Sequence, residues 1–332
     1  MNIAVLGDGA WGSAIAHLLS TNKHRVTLWG PFPDYISEMQ KSRSNPRFLP
    51  KIKFNDSIVF SSDLKEAVTK SEMLVLALPS QYIRQLLKNL CPFIDKNKHI
   101  LVDLAKGIEV NTLKRMSEIV TEILGKTNYT VLSGPSHAEE VIKNVPSAVV
   151  VASDKPDVGK IVQDAFINPA FRVYYSDDPT GVELGGALKN VYAIAAGVVD
   201  GMKLGDNTKA ALLTRSIAEM SRLGKALGGG VETFSGLSGI GDLIVTCYSK
   251  HSRNRFVGEK LGSGYRLNEI LEELNMVVAE GVKTTESAYQ LAKKLNIESP
   301  IINELHAALY KDKNPKKCIN DLMNRVATTE IY

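Results

Sequence analysis

The chain has 332 residues, 44% of them hydrophobic and 23% charged, which suits about two globular domains with full-sized cores. A net charge of +4 is too mild for a nucleic-acid surface and only compatible with an anionic small substrate. Three widely spaced cysteines, Cys91, Cys247 and Cys318, show no CxxC pair; they argue against a zinc site or disulfide scaffold and for a reducing, cytoplasmic setting.

The opening MNIAVLGDG enters a strand at once, so no signal peptide is expected. No apolar run approaches the ~18 residues that span a bilayer, and no integral membrane association is expected. Strands are read at 2–6, 25–29, 57–61, 73–78, 99–104, 130–133 and 147–152, with helical spacing between them at 10–21, 80–90 and 111–124. Several strands, such as MLVLAL, are continuously apolar, as in a parallel sheet covered on both faces. This alternation predicts a Rossmann-like, doubly wound α/β domain. A last β-like run, FRVYYS at 171–176, is followed by DDPTG and then by helical patterns at 182–202, 207–227, 252–261, 282–295, 300–310 and 315–325. The boundary is placed near residue 180, giving domains 1–180 and 181–332, without a low-complexity linker.

GDGAWG, residues 7–12, lies between the first strand and the first helix. In that context Gly7 permits the tight turn, Gly9 lets backbone approach a pyrophosphate, and Gly12 allows close helix–strand packing. The amides around Ala10 and Trp11 then face the diphosphate. The end of the second strand, LWGPFPDY, carries neither the acid that marks NAD nor an arginine for the 2′-phosphate of NADP. The cofactor is therefore NADP or NAD.

Four further stretches, LVLALPSQ (74–81), DLAKGIE (103–109), SGPSHAEEV (133–141) and GLSGIGDLIVTCYSKHSRNR (236–255), join GDGAWG and ELGGALKN (183–190) in one ordered set. With AEGVKTTESAYQLAKKL (279–295), the set resembles the bacterial-type NAD(P)-dependent glycerol-3-phosphate dehydrogenases. The resemblance implies reduction of dihydroxyacetone phosphate to sn-glycerol 3-phosphate for phospholipid synthesis. It also implies an all-helical second domain like that of 6-phosphogluconate dehydrogenase, and a homodimer. His137 stands where many relatives have phenylalanine, and Pro31 and Phe32 where basic residues are frequent.

The resemblance makes Lys189 the general acid/base, which burial and nearby positive charge would suit by lowering an ordinary lysine pKa of ~10.4. Read alone, it is as well a surface lysine snorkelling from a helix. Lys106 follows a strand at its carboxyl end, where ligands bind in open α/β sheets; alone it reads as an ordinary loop lysine, and the resemblance makes it a contact of both substrate and cofactor. The resemblance implies that Gly134 and Ser136 contact the substrate, Ser136 reading equally as a helix cap. The resemblance places Ser252, Arg253 and Asn254 on the phosphate, where a solvated cap is the ordinary reading, and adds Asp242 to the substrate site. The resemblance also implies that Ala138, Arg253, Val278 and Glu280 contact the cofactor, though the turn carrying Val278 and Glu280 reads equally as a generic one. No metal site is expected. Rival readings are a β-hydroxyacid or 6-phosphogluconate dehydrogenase of the same two-domain type, and a non-catalytic dinucleotide sensor.

Overall fold

A computed structural model describes all residues except 275–278, 328, 331 and 332. Eight strands form one sheet: β1 Asn2–Leu6, β2 Arg25–Trp29, β3 Val59–Ser61, β4 Met73–Leu76, β5 Ile100–Asp103, β6 Asn128–Ser133, β7 Ser147–Ala152 and β8 Phe171–Ser176. Their order is β3-β2-β1-β4-β5-β6-β7-β8. The first six are parallel in the doubly wound order, and helices cover both faces. Separate apolar clusters fill the two sides of the sheet, one around Ile3, Val5, Ile15 and Leu28, the other around Leu6, Leu74, Leu87 and Leu101.

The sheet departs from the expected parallel pattern at one place. β7 runs antiparallel to β6. A parallel return needs a crossover to the opposite end of the sheet. Residues 134–146 instead make one short helix, Ala138–Val141, and turn back at the same edge. That keeps SGPSHAEEV over the carboxyl ends of the strands. The helix Pro156–Phe166 then supplies a crossover, and β8 joins β7 in parallel. Some strands are also shorter than the sequence suggests, and the helix expected over 111–124 begins only at Met116. Residues 107–115 form a loop instead, pinned by Arg84 on Glu109 and by Gln81.

After β8, every described element is helical. The organising one is the 23-residue helix Pro179–Gly201, buried along nearly its whole length. This corrects the expectation that no segment is long and apolar enough to span a bilayer. By length and composition this helix is, yet 94% of its most apolar window is buried inside the fold. Polar residues broke the apolar run in the sequence, but Glu183, Lys189, Asn190 and Asp200 are hydrogen-bonded to other parts of the fold. Glu183, for instance, accepts hydrogen bonds from Tyr129, Ser117 and Arg115, fastening the helix to the sheet half.

Small residues let this helix meet its neighbours backbone to backbone. A Cβ on Gly197 would lie 2.0 Å from the carbonyl oxygen of Arg255, and one on Gly201 2.1 Å from that of Glu259. Reciprocally, Cβ atoms on Gly258 and Gly262 would press within 1.9 and 2.4 Å of the carbonyls of Ile194 and Val198. Two glycine pairs at i,i+4 spacing thus set the crossing of Pro179–Gly201 with the helix Arg253–Gly262. That crossing positions the start of the second helix, Ser252–Asn254.

Candidate active site

The loops after β1, β4, β5 and β6 open side by side, because Leu6 is in register with Leu76, Leu76 with Asp103, and Asp103 with Val131. Together with Pro179–Gly201 and the start of Arg253–Gly262 they enclose a cleft of about 260 Å³. Gly9, Ala10, Trp11, Lys106, Ser136, Ala138, Lys189, Ser252, Arg253, Asn254 and Glu280 all line it. Gly7, Gly12, Gly134 and Asp242 stand behind that lining. Val278 lies outside the described residues.

Gly7 has φ +140°, a conformation that L side chains rarely adopt, and a Cβ there would strike the carbonyl of Ala77 at 2.5 Å. Gly12 packs against the carbonyl of Gly7, whereas a Cβ on Gly9 would meet nothing. The helix Ala10–Thr21 starts at Gly9 with no side-chain cap and no acid in its first turn. Its first amides, Ala10 to Gly12, therefore have no intrahelical acceptors and point a positive helix end outward. Trp11 Nε1 and His137 Nε2, on residues lining the cleft, are buried without a hydrogen-bond partner. A dinucleotide diphosphate fits this open glycine cradle, with the amides of residues 10–12 as its donors.

Across the cleft, one carboxylate organises two ammonium groups. Asp242, 2% exposed, accepts from Lys106 Nζ at 2.6 Å and from Lys189 Nζ at 3.0 Å. Lys106 also donates to the Gly134 carbonyl, and Lys189 to the hydroxyl of Thr246 at 2.7 Å. Thr246 in turn donates to the backbone carbonyl of Asp242, four residues earlier. Lys189 is 6% exposed, which rules out a snorkelling role. Burial pushes its pKa below the usual lysine value; Asp242 opposes that shift and Lys106 adds to it. For Asp242 burial acts upward, but the two lysines outweigh it and hold the carboxyl below its ordinary range. Two lysine ammonium groups thus converge on a single carboxylate beside the cleft.

Asn190, next along the helix, is turned to other partners than the Lys189 ammonium. It donates to the Lys106 carbonyl at 2.8 Å and accepts from Asn254, whose own carbonyl oxygen receives the amide of Gly281. This chain of amides ties the sheet loop to three helices. Ser252 caps Arg253–Gly262, accepting from the Arg255 amide, while also facing the cleft. Ser136 is not a cap: the short helix takes His137 at that position, and Ser136 donates to the Gly134 carbonyl. Glu280 reaches from the helical half to accept the amide of Ser80 at 2.7 Å, capping the helix Ser80–Leu90. Burial raises the Glu280 pKa, and burial followed by the charge of Lys189 lowers that of His137. Thr246 and His251 line the cleft without having been singled out in the sequence. Thr246 was readable, lying one helical turn from Asp242; His251 had no such signal.

Comparison with known proteins decides among the rival dehydrogenases. Residues 2–158 match the family profile described as the NAD-dependent glycerol-3-phosphate dehydrogenase N-terminus, and residues 178–320 match its C-terminus. The chain belongs to the NAD-dependent glycerol-3-phosphate dehydrogenase family. Its relatives include the glycerol-3-phosphate dehydrogenase [NAD(P)+] of Citrifermentans bemidjiense, 50% identical over 97% of both chains. That of Fusobacterium nucleatum is 49% identical over 100% of this chain and 99% of its own. The crystal structure of glycerol-3-phosphate dehydrogenase from Coxiella burnetii superposes with a TM-score of 0.94 at 37% identity, covering 98% of this chain and 99% of that one. Like other members of the glycerol-3-phosphate dehydrogenase family, the chain is an NAD(P)-dependent oxidoreductase with a Rossmann domain.

Proposed function

We propose that the chain reduces dihydroxyacetone phosphate reversibly to sn-glycerol 3-phosphate, with Lys189 as general acid/base. The observation that carries this reading is the buried Lys106–Asp242–Lys189 cluster, set between the glycine cradle and Ser252–Asn254. Bound at the cradle, NAD(P)H supplies the hydride. Lys189 gives its Nζ proton to the ketone oxygen as charge develops there. Its lowered pKa makes that transfer easier than from an ordinary lysine. Asp242 keeps the ammonium aimed and does not itself react. Lys106, sharing that carboxylate, stabilises the developing alkoxide. Ser252, Arg253 and Asn254 bind the phosphate at a helix start, and Ser136 faces the three-carbon backbone with Gly134 supporting it from behind. In the oxidative direction neutral Lys189 takes the hydroxyl proton back.

The expected setting is the cytoplasm, the expected assembly a homodimer, and the product a precursor for glycerophospholipids. The test is oxidation of NADPH and NADH with dihydroxyacetone phosphate and with unphosphorylated dihydroxyacetone. Turnover with the phosphate ester alone supports the reading; binding of coenzyme without turnover of either ketone overturns it. Lys189→Ala is expected to lower kcat by roughly 10²–10⁴ with coenzyme affinity little changed. Near-wild-type turnover from that variant, folded normally, would remove Lys189 from the mechanism.

A further inference from the structure

The second strand ends without the acid that usually receives the adenosine ribose. Gly30, Pro31 and Phe32 follow β2 there, and Phe32 is 61% exposed. An acid nevertheless reaches that place from the neighbouring strand. Asp8, between the first two glycines of the cradle, lays its carboxylate over the α-carbon of Gly30. A Cβ on Gly30 would fall 2.4 Å from Asp8 Oδ2 and 2.6 Å from its Cγ. The missing side chain at residue 30 therefore makes the room that the carboxylate of residue 8 fills.

Two further observations separate this acid from a loop residue left to solvent. Its backbone is held rigidly: the buried Asn45 donates to the Asp8 carbonyl at 2.8 Å and to Ser13 on the first helix. Asp8 Oδ2 is itself buried with no hydrogen-bond partner. Arg47 is the cation whose charge acts on this carboxylate, but its guanidinium lies over the ring of Tyr35, 4.1 Å from the centroid, and forms no ion pair with Asp8. The negative helix-start position is favourable in itself, yet it explains neither the contact with Gly30 nor the orphaned oxygen.

We propose that Asp8 does the work of the absent β2 acid: its carboxylate accepts the ribose 2′-hydroxyl of the coenzyme and repels a 2′-phosphate, so that the chain prefers NAD(H) to NADP(H). This rests on the dinucleotide-binding reading of the cradle given above. A carboxylate accepts from a hydroxyl but meets a phosphate dianion with like charge in a partly desolvated place, where charge repulsion is strongest.

Calorimetric titration of the full chain with NAD⁺ and NADP⁺, and with ADP-ribose and its 2′-phosphate, tests it without requiring turnover. Wild-type protein should bind the unphosphorylated member of each pair more tightly, by about tenfold or more, the size expected for one unfavourable charge contact. Asp8→Asn, which keeps the shape and an acceptor oxygen, should bring the NADP⁺ affinity up while changing that for NAD⁺ less. Asp8→Ala should narrow the ratio further. A wild-type preference for NADP⁺, or a ratio unmoved in both variants with normal melting curves, overturns the proposal. A preference for NADP⁺ abolished by Arg47→Ala would overturn it in favour of that arginine. If none of the four ligands binds, the dinucleotide reading itself fails, an outcome distinct from equal binding of the two coenzymes.

Discussion

Lys189 carries opposed influences, and the sign of each predicts a pH profile. Burial and Lys106 lower its pKa, while Asp242 raises it. Ketone reduction needs the protonated form, so its kcat should fall as pH rises through the lowered value. Alcohol oxidation needs the neutral form and should rise over the same range. Replacing Asp242 by Asn removes the raising charge, so both limbs should move to lower pH; Lys106→Met removes a lowering charge and should move them higher. Steady-state kcat in both directions from pH 6 to 10 checks the order of the three midpoints, and an unmoved midpoint in Asp242→Asn would detach the limb from Lys189. At this scale the sequence was informative about residue type and poor about state. The ELGGALKN stretch marked a lysine among small residues. It could not show whether that lysine was solvated, because the carboxylate partner lies 53 positions away and enters from another helix.

At the scale of elements, Pro179–Gly201 holds the site by close backbone approach more than by side-chain interlock. Gly197→Ala places a methyl against a main-chain carbonyl, where no side-chain rotation relieves the overlap. The expected cost is about 1–3 kcal/mol. The distinctive expectation is functional: as the helix carrying Ser252–Asn254 is pushed away, KM for the phosphate ester should rise more than kcat falls. Thermal melts with kinetics on Gly197→Ala and Gly258→Ala check it, a surface change such as Lys225→Ala serving as reference. The helix itself was legible from composition, and so were most strands. The antiparallel β7 was not, because SAVVVA reads as a buried strand in either direction. Its direction is fixed by how far the preceding thirteen residues, 134–146, travel, and local pattern does not carry that information.

On the scale of the molecule, the sheet half and the helical half interpenetrate. Ile108, in a loop after β5, is buried in the helical core, and Val182, from the central helix, is buried against the sheet. Glu280 caps a helix of the first half from the second, and Glu183 binds Tyr129 and Arg115 across the same join. A tyrosine hydroxyl has one hydrogen, yet Tyr129 contacts Asp103 as well as Glu183. Burial, followed by the charge of Glu183, raises the Asp103 pKa well above normal, and Tyr129 joins the two carboxyl groups across this boundary. Such mutual burial predicts one cooperative transition. Both tryptophans, Trp11 and Trp29, lie in the sheet half, while far-UV ellipticity reports helices throughout. Denaturation followed by the two signals should give coincident midpoints; separated midpoints would mean that the halves unfold independently.

The burial of Pro179–Gly201 also has a consequence for the order in which the chain is made. Synthesis delivers this apolar helix before Arg253–Gly262 and Glu280–Lys294, two of the helices that cover it, have left the ribosome. For at least fifty residues of elongation it has the length and hydropathy of a membrane span and an incomplete coat. A message broken in that interval would release a fragment that presents this surface to other chains, to chaperones or to a bilayer. The chain escapes that fate only when its last third arrives, so the helix that positions Ser252–Asn254 also serves as the apolar helix's shelter.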